Sequence, residues 1–440
     1  MNNKNKSIVI DGRNLSLENG TGIATYARNL SYLLNDMGFD INVLYGKPKL
    51  PGKSDFIKEI SFFDIQKKKP ALLTGLGLAK QLITSPFGES AKKIPITGKV
   101  IADNYKDKLP YFDTLWNIPS LFDIAHIYFS IYKRLYPVYF PNTPDIAHWT
   151  YPAPIWAVGA KNIYTIHDIV PLRLPYTTRD NKANFLRLIN TIIKKSDHIC
   201  TVSEHSKQDL IDVLQAPESK ITNTYQTAKI PEKYLSCDII DVITDISGAY
   251  GLKHKDYFLF FGAIEPKKNV GRIIEAFLSS DVKSPLILAS GSGWMSKPEL
   301  RMILDDNHIS NSEDDCKINN SGKIMKIDHV PFRLLVSLIR GAKAVLFPSM
   351  YEGFGLPILE SMLCGTPVIT SNFGAMKETA GDAALFVDPY NVREIRDAIK
   401  SLDSNQELRM QLSEKGLVRA EIFNQLRYKE KLSNMYENIM

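Results

Sequence analysis

Short apolar runs alternate with amphipathic stretches along most of the 440 residues, the pattern expected of strand and helix units in a parallel α/β sheet. SIVID at 7–11 predicts a buried strand. The loop GRNLSLENGTG follows, then a helix from about Ile23 to Met37 with Ile23, Tyr26, Ala27, Leu30, Leu33 and Leu34 on one face. DINVLYG supplies the next strand. Across 47–134 the pattern weakens, with Pro, Gly, Lys and aromatic residues mixed without a clean period. It returns with DIAHWT, NIYTIHDIV, a helix near Lys182–Lys195 and HICTVSEHSKQDLIDVL. The stretch 231–255 reads as irregular and polar, a domain linker. A second series opens at DYFLFFG and runs through PLILASGSG, GKIMKIDHV, AKAVLFPS, TPVITS and AALFVDP, while 406–440 reads as one or two helices. The fold expected is α/β, two Rossmann-like domains at 1–245 and 250–415 with a C-terminal helical segment at 416–440.

Composition narrows the function classes. At 44% hydrophobic and 23% charged residues the chain is ordinary globular material, not a disordered tail, a collagen or a disulfide miniprotein. The four cysteines, Cys200, Cys237, Cys316 and Cys364, have no CxxC spacing and suggest neither a disulfide framework nor a zinc site. A net charge of +6, from 54 basic and 48 acidic residues, excludes the uniform basicity of a nucleic-acid binder. That charge is local, because 47–134 holds 15 Lys and Arg against 8 Asp and Glu. The polar start MNNKNKSIVIDGRN lacks a signal-peptide pattern, and no run of about 20 uncharged residues suggests a spanning helix. A cytoplasmic protein is expected.

The most specific motif is FPSMYEGFGLPILESMLCGTPVITS, residues 347–371. A strand ends at Pro348-Ser349, a Gly-rich loop follows, Pro357 suits a first helical turn, and Gly365 with Pro367 ends the helix. Gly353 and Gly355 let backbone approach a ligand, and amides at a helix start attract phosphate. Glu352 in the loop and Glu360 on the helix fit sugar hydroxyls, since a carboxylate beside phosphate repels it. Read singly, two solvated acids on a capped surface helix would serve as well; the 25-residue pattern argues for a site. In GAIEPKKN, 262–269, Lys267 and Lys268 follow a strand at its ligand-binding end, where cations neutralise a departing diphosphate, although a lysine pair is also common on any surface. In YTIHDIVP, 164–171, His167 and Asp168 end another strand. A lone His there is more often structural, and Asp168 is expected to cap the next turn.

EGFGLPILE resembles the E-x7-E signature of the retaining, nucleotide-sugar-dependent glycosyltransferases of GT-B architecture, the glycosyl transferases group 1. DGRNLSLENGTGIATYARNL, TIHDIVPLRLP, FFGAIEPKKNVGRIIEAF and SNFGAMKETAGDAALFVDPYN are most similar to the mannosyltransferases that build O-antigen chains. The resemblance covers nearly the whole chain except 47–135. It implies a central cleft, with the acceptor held by the N-terminal domain and the nucleotide sugar by the C-terminal one. Glu360 then holds the ribose, Glu352 lies near the transferred sugar, and the amides of Phe354, Gly355 and Leu356 contact sugar or phosphate. Where many members carry an Arg, this chain has Ala263, which leaves Lys268 as the match and Lys267 as a substitute. His167 becomes the catalytic candidate beside Glu352.

Softer donor-binding positions are Gly20 and Gly22, where a plain turn is the competing account, together with Gly291 and Val330. SEHSK at 203–207 matches a cleft-lining block, but Ser203 is also a good helix N-cap. The implied reaction moves a hexose, mannose from GDP-mannose, onto a saccharide or lipid-diphosphate-linked saccharide, without metal or other cofactor. A UDP-hexose donor, a nucleotide-sugar epimerase and a noncatalytic sugar-nucleotide sensor are the alternatives. Lys67, Lys68, Lys69, Lys92, Lys93, Lys106 and Lys108 lie near Phe62, Phe63, Phe87, Tyr111, Phe112 and Trp116. The mixture suits an anionic membrane surface at the inner face of the cytoplasmic membrane, or equally a solvated excursion. The helix at 428–439 is expected to cross back to the first domain.

Overall fold

Two parallel sheets carry the fold in the computed structural model, which describes residues 6–16, 22–48, 54–64, 87–101, 109–290, 296–300 and 323–440. The first sheet runs in the order Ile221–Asn223, His198–Thr201, Lys161–Ile166, Ile146–Trp149, Ser7–Asp11, Asp40–Tyr45, Thr114–Asn117 and Lys92–Ile94. Its ladders are parallel except for the last, where Lys92–Ile94 pairs antiparallel with Thr114–Asn117. Ile8, Val9 and Ile10 are fully buried, as a central strand covered on both faces requires.

The second sheet is wholly parallel, in the order Ile324–Ile327, Leu286–Ala289, Phe258–Phe261, Ala344–Phe347, Val368–Ser371 and Leu385–Val387. Counted along the chain this is 3-2-1-4-5-6, so the order reverses between Phe258–Phe261 and Ala344–Phe347. Loops leaving the carboxyl ends of those two strands diverge and open a crevice between them. The first sheet reverses between Ser7–Asp11 and Ile146–Trp149.

Several elements follow the sequence pattern closely. The first strand is Ser7–Asp11, the first helix Gly22–Asp36, and a further helix spans Lys182–Lys195. The reading of 231–255 as irregular is corrected by the helix Ile239–Tyr250, which buries Val242, Ile246 and Tyr250 at four-residue spacing and ends on Gly251 in the left-handed conformation. Asp245 ties it to the helix Phe332–Gly341 through Arg333 and Ser337, each at 2.8 Å. The weak pattern at 47–134 likewise conceals the helices Asp55–Phe63 and Leu121–Tyr132 and the strand Thr114–Asn117. Leu121–Tyr132 is apolar nearly all round, and a four-residue strand is too short to show a period. Phe62 is core, and the Trp116 indole donates to Asn42 at 2.8 Å. Phe87, Lys92 and Lys93 are exposed, while Lys67, Lys68, Lys69, Lys106 and Lys108 lie outside the described residues.

After the helix Gln406–Ala420, the last helix, Gln425–Ile439, buries Tyr428, Leu432, Met435 and Tyr436. Tyr436 packs edge-on to Phe39, its hydroxyl lies 2.6 Å from His148 Nδ1, and Lys429 donates to the Asp36 carbonyl at 2.8 Å. The chain end therefore lies against the first sheet. Among the described residues no helix is long and apolar enough to cross a membrane.

Candidate functional site

Strand Phe258–Phe261 leads into Gly262 at φ 125°, a left-handed conformation, then a short 3-10 turn, Pro266–Lys268. The Asn269 amide locks this turn by donating to the carbonyls of Pro348, 3.0 Å, and Pro389, 2.7 Å. Met350 N–H donates to the Lys267 carbonyl at 2.8 Å. The loops after the first and fourth strands of the second sheet are thereby fastened together, which sets both lysines against Glu352.

Glu352 is 7% exposed. Lys268 Nζ lies 2.5 Å from its Oε1, and Lys267 Nζ 3.7 Å from Oε2. Burial alone would raise the Glu352 pKa, but Lys268 and Lys267 outweigh it and hold the carboxyl below its ordinary value. Burial works against the Lys267 charge too, yet Glu352, Asp168 and Glu265 together raise its pKa, so it stays cationic. Lys268 also sits over the Phe347 ring at 4.7 Å. Glu360, half-buried on the helix Leu356–Leu363, has its carboxyl raised to about 7 by burial, with Lys268 pulling the other way. That helix starts after Gly355 at φ 96° with Pro357, which has no N–H, in its first turn, and the Ile358 N–H donates back to the Gly355 carbonyl at 2.9 Å, so the Leu356 amide is the one left without an intrahelical acceptor in the first turn.

The first sheet supplies the opposite wall. His167 Nε2 lies 2.9 Å from the Thr150 carbonyl. A carbonyl only accepts, so Nε2 carries the proton, and the neutral ring leaves Nδ1 bare. Burial is the largest influence on His167 and lowers its pKa, which keeps the ring neutral. Tyr26 packs edge-on against it with centroids 4.9 Å apart. Asp168 Oδ1 accepts from Val170 N–H at 3.1 Å, capping the turn, while its Oδ2 is 3.7 Å from Lys267.

Contacts between the halves continue beside this point. Ser203 caps its helix, Glu204–Leu214, and its hydroxyl also donates to the Gly353 carbonyl at 2.6 Å. Glu378 from the second half accepts from the N–H groups of Glu204, 2.7 Å, and His205, 3.0 Å. Tyr351 donates its hydroxyl to Asp209. A Cβ on Gly353 would meet the His167 carbonyl at 2.2 Å. Gly353 thus makes room for backbone of the other half, which corrects the expectation that it clears space for a ligand.

Two family profiles match the chain: glycosyltransferase family 4 over residues 99–225 and glycosyl transferases group 1 over residues 243–419. The chain is a glycosyltransferase with a group 1 domain. Among curated proteins this transferase is 28% identical to O-antigen chain mannosyltransferase B of Escherichia coli over 272 residues, 60% of this chain and 67% of that one. It is 26% identical to O-antigen chain mannosyltransferase RfbU of Salmonella typhimurium over 239 residues, 54% of this chain and 60% of the relative. The chain therefore aligns with two thirds or less of those relatives' lengths. Among solved structures, sucrose-phosphate synthase from Thermosynechococcus elongatus superposes with a TM-score of 0.67 at 16% identity over 99% of each chain. Anabaena HepE in complex with UDP and glucose superposes with 0.63 at 14% identity, over 98% of this chain and 100% of that one. These neighbours fix the fold of the transferase as GT-B. The family 4 match begins at 99, so the resemblance reaches into the segment 47–135 that the motifs left out.

Of the residues singled out in the sequence, the structure groups His167, Lys267, Lys268, Glu352 and Glu360. It also brings Gly22 against the start of the helix Leu356–Leu363, because a Cβ there would lie 3.6 Å from Leu356 Cδ1. The Phe354 ring is buried and packs on Phe423, centroids 5.2 Å apart, and on Tyr225 of the first half, 6.5 Å. Val330 is half-buried against the core ahead of the helix Phe332–Gly341. Gly20 and Gly291 lie outside the described residues. Glu378, Asp209 and Thr150 carry contacts around the cleft that sequence reasoning missed. Glu378 lies within the quoted block SNFGAMKETAGDAALFVDPYN, and Asp209 has a signal in its partner Tyr351, which directly precedes Glu352.

Proposed function

We propose that this glycosyltransferase moves mannose from GDP-mannose onto a saccharide or lipid-linked saccharide acceptor with retained anomeric configuration, without metal or other cofactor. The observation that carries the reading is the meeting of Glu352, Lys267 and Lys268 from one half with His167 from the other. The names of its mannosyltransferase relatives favour the sugar. In the proposed step the bond from the anomeric carbon to the donor phosphate breaks and a bond to the acceptor oxygen forms on the same face. The acceptor proton passes to the departing phosphate. Lys267 and Lys268 exchange Glu352 for that phosphate and stabilise its growing charge. Glu352, released, accepts from sugar hydroxyls, and Glu360 from the ribose. The neutral His167 ring presents bare Nδ1 to the transferred sugar. Exposed Lys92, Lys93 and Phe87 on the acceptor half suit an acceptor presented at an anionic membrane surface.

The test pairs a panel of GDP- and UDP-sugars with a lipid-linked acceptor. Transfer is expected from GDP-mannose, together with a thermal shift that grows as RT ln(1 + [L]/Kd). Glu352→Ala is expected to lower transfer by about a hundredfold or more, the usual cost of a lost electrostatic group at a reacting centre. Equal transfer by wild type and Glu352→Ala overturns the site; product formed from donor without acceptor identifies an epimerase.

A further inference from the structure

Asp11 ends the strand Ser7–Asp11, and Thr150 directly follows Ile146–Trp149, its neighbour across the reversal in the first sheet. Both side chains are 0% exposed. Asp11 Oδ2 accepts from the Thr150 N–H at 2.6 Å and from its hydroxyl at 2.9 Å. The Thr150 carbonyl in turn accepts from His167 Nε2 at 2.9 Å. Gripped at both its amide and its hydroxyl, Thr150 cannot rotate, so its carbonyl stays aimed at the imidazole.

The grip is costly. A buried carboxylate needs compensation, and among the described residues no cation lies within ion-pair distance of Asp11. Burial raises its pKa to about 6, against the opposing pull of the Thr150 amide and hydroxyl and of Arg13. The other groups facing it are phenols, Tyr45 from the adjacent strand and Tyr151 after Thr150, and burial raises both. Nothing in strand pairing requires a charge here, because Asp11 already sits within its ladder through the main chain. What the charged oxygen adds is acceptance of two donors on one residue, which is the residue that holds His167.

We propose that Asp11 is a positioning residue for sugar transfer: by fixing Thr150 it keeps the His167 ring in place and in its Nε2–H form, with Nδ1 bare towards the cleft. The proposal rests on the reading of His167 as the group that faces the transferred sugar.

The experiment compares Asp11→Asn, Thr150→Val and Thr150→Ser in the full chain. Thr150→Val is expected to lower kcat about tenfold to a hundredfold, as small misplacements at a reacting centre do, and Asp11→Asn to lower it by less, because its amide oxygen still accepts from Thr150 but without the charge. Donor KM should stay within about twofold, the mark of an interaction expressed in the transition state. Thr150→Ser, which restores the hydroxyl, should return kcat to near the wild-type value. Imidazole 15N shifts should show His167 in the Nε2–H tautomer in wild type and Thr150→Ser, and in mixed tautomers in Thr150→Val. The proposal is overturned if kcat and the tautomer are unchanged, or if KM rises in step with the loss and Thr150→Ser gives no rescue. Should Asp11→Asn not fold, the two Thr150 variants decide alone. If His167→Ala keeps full kcat, the reading of His167 falls, while the 15N shifts still report on the clamp.

Discussion

Glu360 carries the clearest pH signature in the cleft. Its folded pKa of about 7 stands above the ordinary 4.5, so folding favours the protonated form. The stability tied to this proton is fully present below about pH 4.5 and is lost as pH rises through about 7. Hydroxyl donors of a ribose need the ionised carboxylate, so donor affinity should move the opposite way and increase between pH 6 and 8. Titration calorimetry across that range should show tighter binding at the higher pH, and Glu360→Gln should flatten the dependence. A flat wild-type profile would show that Glu360 does not meet the nucleotide in its charged form. Glu360 and Glu352 were legible in the sequence because one loop and one helix place both, eight residues apart. Asp11 and Thr150 were not, since 139 residues separate them and each looks like an unremarked strand end.

Among the elements, the Glu204–Leu214 helix shows how a segment serves both halves. Ser203 caps it from within, as its position before the helix suggests, while Glu378 takes two of its leading amides from across the interface. A carboxylate there also meets the positive end of the helix dipole. Gly353 belongs to the same contact. Gly353→Ala places a methyl group 2.2 Å from the His167 carbonyl, so the halves must part or the His167 strand end must shift. Transfer is expected to drop by about tenfold or more, with the isolated fold intact by circular dichroism; unchanged kcat would mean that the halves do not need this contact during turnover. Such effects escape a reading of one segment at a time, as did the helix Ile239–Tyr250, whose buried face is defined by the Phe332–Gly341 helix it packs on.

At the level of the whole molecule, the last helix joins the chain's end to its beginning. Tyr436 pairs with His148, whose other nitrogen lies 2.8 Å from Thr165 Oγ1, and Thr165 meets the Tyr26 hydroxyl at 2.9 Å. Burial, with His167 and His198 nearby, lowers the His148 pKa to about 3, so this chain of bonds runs through a neutral ring. Tyr436→Phe leaves His148 Nδ1 buried without its partner, at a cost of about 1–3 kcal/mol. Urea unfolding should show that loss, and a stability equal to wild type would show that the contact contributes nothing. The sequence by itself determined the two α/β halves, the Gly-rich loop with its paired glutamates and the lysines after a strand, because periodicity and turn chemistry are local. Only the tertiary structure decided which groups meet: Lys267 with Asp168 and Gly353 with His167 across the cleft, and Asp11 with Thr150 within the first sheet. Those pairings depend on strand order and on the approach of two separately folded sheets, which no local pattern encodes.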